Sequence, residues 1–182
     1  MTKALLSIDY TYDFVADDGC LTAGKAAQAI ETALVELTQS AYEAGDYIFF
    51  TIDGHDKGDT FHPETGLFPP HNIKGTRGRQ LYGQLADLYE TIAGDARVLW
   101  LDKRHYSAFS GTDLDIRLRE RQVTTLMLTG VLTDICVLHT AIDAYNLGYA
   151  LEIPERAVAS VSSDRHRFAL NHFKTVLGAT IS

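Results

Sequence analysis

Five short apolar runs, at residues 3–8, 47–52, 98–101, 124–129 and 149–153, alternate with stretches whose apolar residues recur at helical spacing. This alternation constrains the fold more than any other property of the chain. A sixth run at 157–161 is shorter. Ile30, Leu34, Leu37 and Ala41 lie on one face of a helix predicted over 25–44, with Gly45 placed to stop it. Stretches 112–120, 134–147 and 164–177 read as helices in the same way, the last ended by Gly178. Strands alternating with helices give an α/β fold, a three-layer α/β/α sandwich around a mostly parallel, Rossmann-like sheet. The 182 residues suffice for one large core, so a single domain over 1–182 is expected. Only 54–78 follows neither period, which marks a long functional loop.

Composition excludes several functions. A net charge of −8 with dispersed acids lacks the concentrated basic face that nucleic acid requires. The densest basic cluster, Arg117, Arg119 and Arg121, is interleaved with Asp113, Asp115 and Glu120 and reads as a solvated helix face. The first ten residues are cut by Asp9, far short of a signal peptide or membrane span, so a cytoplasmic location is expected and no membrane partner. Two cysteines, Cys20 and Cys136, give no disulfide framework and are expected as free thiols.

The polar residues fall where such a sheet binds ligands. Asp9 follows the first run, Asp53 and His55 the second, Asp102 and Lys103 the third, and Cys136 the fourth. All are at carboxyl ends, where open α/β sheets place their ligand crevice. Gly130-Val131-Leu132-Thr133-Asp134-Ile135-Cys136-Val137 bridges a strand and a helix. Unpaired N–H groups and the helix dipole there are expected to lower the thiol pKa. A carboxylate, an amine and a thiol in one cleft suggest amide hydrolysis through a thioester. Asp9 would accept the thiol proton, Lys103 would hold Asp9, and the Cys136 N–H with one from the 131–134 loop would face the oxyanion.

A second constellation occupies the loop. Asp53 and His55 are two apart in extended chain and share a face, and Glu64 and His71 follow within reach of a returning loop. Two imidazoles with carboxylates suit Zn²⁺, Mn²⁺ or Fe²⁺ and leave positions open. His62 rivals Glu64. His139 and His172 read as helix residues, and His105 and His166 as surface groups without partners.

Asp9 with Asp13-Phe14, Asp53-Gly54-His55, Pro69-Pro70-His71, Lys103 and the segment around Cys136 together resemble the isochorismatase-like cysteine hydrolases, and among them the nicotinamidase family. The resemblance runs through almost the whole chain. It implies a nicotinamidase of NAD salvage in which Cys136 attacks the carboxamide of nicotinamide, Asp9 serves as base and then acid, and Lys103 orients Asp9. It further implies a cis peptide at Val131-Leu132, with the Leu132 and Cys136 N–H groups forming the oxyanion hole. One divalent metal ion per chain, Zn first with Mn or Fe as alternatives, would be held by Asp53, His55, Glu64 and His71 and would bind the pyridine nitrogen. Phe14, Phe68 and Tyr106 would line the substrate ring, while Trp100 and Phe109 are expected in the core. Two departures stand out. The family's common glutamine two residues after the aspartate is Thr11, bearing on support of the base, and its bulky residue between the Asp and His ligands is Gly54, leaving room beside the metal.

Two other readings compete: a metal-free ureido or carbamoyl hydrolase of the same superfamily, and a non-catalytic α/β binding module. The absence of any Gly-x-Gly-x-x-Gly or Walker-type phosphate loop argues against the latter. Homo-oligomerisation and a role for Cys20 are left open.

Overall fold

The computed structural model describes residues 2–182; Met1, part of the expected domain, lies outside the described residues. The apolar runs form strands β1 (Thr2–Ile8), β2 (Tyr47–Asp53), β3 (Val98–Lys103), β4 (Val123–Val131), β5 (Ala150–Ile153) and β6 (Val158–Ala159). A seventh, β7 (Thr180–Ile181), has too few residues to show a period and went unexpected. The sheet order is β3-β2-β1-β4-β5-β7, with β6 pairing β4, and every strand pair is parallel.

Seven helices cross between strands: α1 (Tyr12–Val15), α2 (Lys25–Ala29), α3 (Glu31–Glu43), α4 (Gly83–Ile92), α5 (Leu114–Glu120), α6 (Leu138–Asn146) and α7 (Ser163–Thr175). The helix expected over 25–44 is broken at Ile30, whose backbone caps both halves. Gly45 closes α3 as expected: at φ 85° it donates to Tyr42 O, and the next N–H reaches Ala41 O. Helix α4 was not foreseen, although Leu85, Leu88 and Ile92 hold the spacing, because it directly follows the irregular loop. The helix expected over 134–147 begins only at Leu138.

Parallel strands bury both faces, and the packing shows it. From β1, Ala4, Leu6 and Ile8 pack with residues of α5, α6 and α7 such as Leu118, Ala141 and Phe173. Leu5 faces the other way, joining Ile48, Phe50 and Ile52 of β2 against Leu34 of α3 and Leu85 of α4. The result is the three-layer α/β/α sandwich. Among the described residues no helix is long and apolar enough to cross a membrane.

Strand order reverses between β1 and β4, since β1 connects onward to β2 on one side while β4 lies on its other side. A crevice must open at the carboxyl ends of those strands. Segment 54–78 arches over it, irregular apart from single 3₁₀ turns at Pro63–Gly66 and Arg77–Arg79.

Candidate active site

Asp9 leaves β1 with a φ of 53°, and its carboxylate is fully buried. Its Oδ1 accepts the Asp53 N–H at 2.7 Å, and its Oδ2 pairs with Lys103 Nζ at 2.7 Å. Lys103, the last residue of β3, donates also to His105 O at 3.2 Å and lies 3.7 Å from Cys136 Sγ and 3.8 Å from Asp53 Oδ1. One ammonium is therefore shared by two carboxylates and a thiol in a space closed to solvent. Unpaired, any of these ions would cost several kcal/mol to bury.

The thiol behaves otherwise than expected. Burial pushes its pKa well above 9; Lys103 pulls it down, but Asp9 and Asp53 push it up again. Nor does Cys136 open a regular helix, since it sits inside a π-helical turn (Thr133–Val137) ahead of α6. Desolvation and two carboxylates outweigh the dipole of a helix that begins two residues later. The resting thiol holds its proton, so a neighbouring acceptor is required. Asp9 is the acceptor at hand, its carboxylate sharing the Lys103 ammonium with the thiol. Burial raises the Asp9 pKa, Lys103 lowers it and Asp53 raises it, with a net rise that suits a group that must both take and return a proton. Burial disfavours the Lys103 charge, but Asp9, Cys136 and Asp53 more than offset this, and the amine stays protonated.

Beside this triad Asp53, His55, Glu64 and His71, all buried, bring four ligand-type atoms within 4.8 Å of one another. His55 Nε2 lies 2.7 Å from Asp53 Oδ2, and His71 Nε2 is 3.6 Å from both Asp53 Oδ2 and Glu64 Oε2. His71 Nδ1 must donate to Pro69 O, at 2.8 Å, which leaves the Nε2 lone pair free. That Nε2 and Asp53 Oδ1 are buried without a hydrogen-bond partner among the described residues. The orphaned His71 Nε2, with Asp53 Oδ2 and Glu64 Oε2 each 3.6 Å away, fits a divalent cation. His62 is not in the group: its Nε2 meets Arg104 O, and its Nδ1 accepts the Glu64 N–H at 3.2 Å. It holds the turn that presents Glu64.

Between triad and cage opens a mainly apolar cavity of about 160 Å³. Cys136, Phe14, Phe68 and Tyr106 line it, with Asp53 and His71 at the polar end. Phe14 and Phe68 lie 5.3 and 6.2 Å from the His71 ring. Leu21, Thr22, Val161 and Arg165 also line it and were not anticipated, because nothing in their local sequence marks residues that meet only through topology.

Other residues fall in different places than expected. Thr11 supports not the base but the ligand loop, its hydroxyl donating to Asn72 Oδ1 at 2.9 Å. Asp13 joins it, Oδ2 accepting the Asn72 N–H at 2.7 Å, so both brace the residue after His71. Gly54 leaves no room beside the cage, since the Arg79 side chain fills the space a Cβ would take. Trp100 and Phe109 are only half-buried, the former against Arg79 and the latter stacked on Tyr149 at 5.9 Å. His166 lies on α7 and pairs with Thr133 Oγ1 at 2.9 Å. Cys20 is exposed. Backbone geometry at the elbow includes a cis peptide at Val131-Leu132.

Comparison with known proteins matches residues 3–182 to the isochorismatase domain. The crystal structure of a pyrazinamidase/nicotinamidase from Streptococcus mutans is 74% identical and superposes with a TM-score of 0.98 over 100% of both chains. The nicotinamidase/pyrazinamidase of Bacillus subtilis is 54% identical, with a TM-score of 0.99 over 100% of both chains. A Pyrococcus horikoshii pyrazinamidase in complex with zinc is 26% identical, with a TM-score of 0.86 over 100% of this chain and 99% of that one.

Proposed function

The chain belongs to the isochorismatase-domain family, and from that premise we infer that it is a nicotinamidase, converting nicotinamide to nicotinic acid and ammonia in NAD salvage. The observation that carries the mechanism is the buried Asp9–Lys103–Cys136 group and the four-ligand cage facing one another across a cavity sized for a small ring.

With the carboxamide carbon against Sγ, the Cys136 thiol passes its proton to Asp9 as the C–S bond forms. The negative oxygen of the tetrahedral adduct is met by the Leu132 and Cys136 N–H groups. Asp9 returns the proton to the departing nitrogen, the C–N bond breaks, and ammonia leaves an acyl thioester. Asp9 then takes a proton from water as the water oxygen attacks the thioester carbon, and passes it to the Cys136 sulfur as the C–S bond breaks, releasing nicotinic acid and the thiol. Through both halves Lys103 holds Asp9 in place and balances its charge, while Phe14, Phe68 and Tyr106 pack on the flat faces of the ring. Asp53, His55, Glu64 and His71 would hold one divalent ion, Zn²⁺ first, which when bound supplies a Lewis-acid anchor for the ring nitrogen. Nicotinamide is the proposed small-molecule partner and the cytoplasm the proposed location.

Ammonia release from nicotinamide, measured before chelation, after it and after Zn²⁺, Mn²⁺ or Fe²⁺ is restored, tests this reading. Release should vanish with the metal and return with it, and Cys136→Ser should keep the fold but lose at least about 10³-fold in turnover, since a hydroxyl beside a carboxylate base is a far weaker nucleophile. Release indifferent to chelation would remove the metal from substrate binding. No release with any of these ions, alongside hydrolysis of ureido or carbamoyl compounds, would replace nicotinamide as the substrate.

A further inference from the structure

Asp53 contributes to both halves of the site, and its main chain is pinned from three directions. Its N–H donates to Asp9 Oδ1 at 2.7 Å, and the next N–H, of Gly54, donates to Lys103 O at 2.9 Å. Its carbonyl accepts from Arg79 Nε at 2.9 Å. The same guanidinium reaches Ile52 O at 3.3 Å and closes on Asp102 Oδ1 of β3 at 2.5 Å. Asp102 Oδ1 is held in turn by Trp100 Nε1 at 2.7 Å. Arg79 thus spans the carboxyl ends of two strands with three donors of a rigid planar fork.

Its seat is Gly54. A Cβ there would lie 2.9 Å from Arg79 Nε, 3.1 Å from NH2 and 3.2 Å from the guanidinium carbon, so any side chain at 54 displaces the group that fixes the Asp53 carbonyl. The peptide that joins two cage ligands, Asp53 and His55, is therefore built around an arginine from 25 positions further along the chain. We propose that Arg79, seated in the space left by Gly54, is a positioning residue that sets the metal affinity of the site by fixing the orientation of Asp53. Arg79 touches neither substrate nor ion and acts through the backbone. Arg79 lines a surface groove of about 270 Å³ together with Gly75, Thr76, Gln80 and Trp100, which offers a free guanidinium ion a route to the vacated seat of an Arg79→Ala protein.

The proposal rests on the metal site described above, and the test separates the two. Zn²⁺ affinity is measured by competition with a chromophoric chelator for the wild type, Arg79→Ala, Arg79→Lys and Gly54→Ala, with thermal midpoints of the metal-free proteins recorded alongside. Groups that orient metal ligands typically contribute 10- to 100-fold in affinity. Arg79→Ala should lose affinity in that range and recover part of it with millimolar guanidinium. Arg79→Lys, which cannot span both carbonyls, should lose nearly as much, and Gly54→Ala should weaken binding although Arg79 is present. Arg97→Ala is the control. It breaks an ion pair with Asp95 remote from the cage and should leave affinity unchanged. Affinities within twofold of wild type in Arg79→Ala overturn the proposal, as does a loss that guanidinium does not relieve and that Arg97→Ala shares. Should Arg79→Ala not fold, Arg79→Lys and Gly54→Ala decide alone, and wild-type affinity in both overturns it. Failure of the wild type itself to take up the ion refutes the metal site, and Arg79 with it.

Discussion

Cys136 keeps its proton because burial and two carboxylates outweigh one ammonium, which makes its reactivity a readout of the whole triad. The sign follows directly: a thiol pKa above 9 leaves under about one part in a hundred as thiolate at neutral pH. Alkylation of Cys136 by iodoacetamide in chelator-treated protein should therefore climb about tenfold per pH unit through pH 9 without levelling. A plateau below pH 8 would mean that the dipole expected from the sequence prevails after all. Lys103→Met removes the one group that lowers this pKa and should slow alkylation at pH 8 by at least about tenfold, with hydrolysis lost as well; unchanged alkylation would assign Lys103 to structure alone. The sequence pointed to Asp9 and Lys103 because each stands just past an apolar run, and to Cys136 because the segment 130–137 joins a strand to a helix. The direction of the thiol's shift was not legible, since it depends on three-dimensional distances to Asp9 and Asp53 that no local spacing encodes.

At the scale of elements, the site depends on how closely β1 and β4 approach where the strand order reverses. Gly130 pairs with Ile8, has a φ of 106°, and a Cβ on it would lie 2.8 Å from the Ile8 carbonyl carbon and within contact of Ile8 O. Neither backbone can yield cheaply, because Ile8 leads into Asp9 and Gly130 into the elbow that carries Cys136. Gly130→Ala should therefore cost about 2–4 kcal/mol, combining a disfavoured φ with a backbone clash, and reduce turnover more than 100-fold even at temperatures where it stays folded. Wild-type turnover with an unchanged thermal midpoint would show that the strands can part without disturbing the triad. Long elements of clear period were readable, as β1, β2, β4, α3 and α7 attest. What escaped was set by tertiary context: the break at Ile30, where apolar spacing runs on through a capped junction, helix α4 behind an irregular loop, and a two-residue β7 that exists only by pairing with β5. The loop ligands lay in between. Asp53, His55 and His71 were nameable by type, but only the ring contacts of His62 with Arg104 and with the Glu64 N–H separate it from Glu64.

Across the whole molecule, the cage is one of several ties between the 54–78 segment and the sheet, beside the Thr11 and Asp13 bonds to Asn72 and the Arg104 contacts with Asp56, Asp59 and His62. Two of its side chains come from the end of β2 and its exit, and two from the returning loop, whose bonds to that strand include His55 N–H to Asn72 O and Lys74 N–H to His55 O. Without an ion, two carboxylates face each other there with only imidazoles and the Lys103 ammonium to offset them. Binding that requires the folded arrangement stabilises it by mass action, about 2.7 kcal/mol when the free ion is at 100 times its dissociation constant. For a chain of this size about 2–4 °C accompanies each kcal/mol, so chelation should lower the thermal midpoint by about 5–10 °C from that starting point. The loss should be local before it is global. Amide exchange at His55 and Lys74 should quicken by an order of magnitude or more on chelation, while β1 and β4, buried on both faces, keep their protection. Equal midpoints with and without the ion, or quickening spread evenly over the sheet, would show that the loop is held by its own packing and that the four side chains do not clamp it.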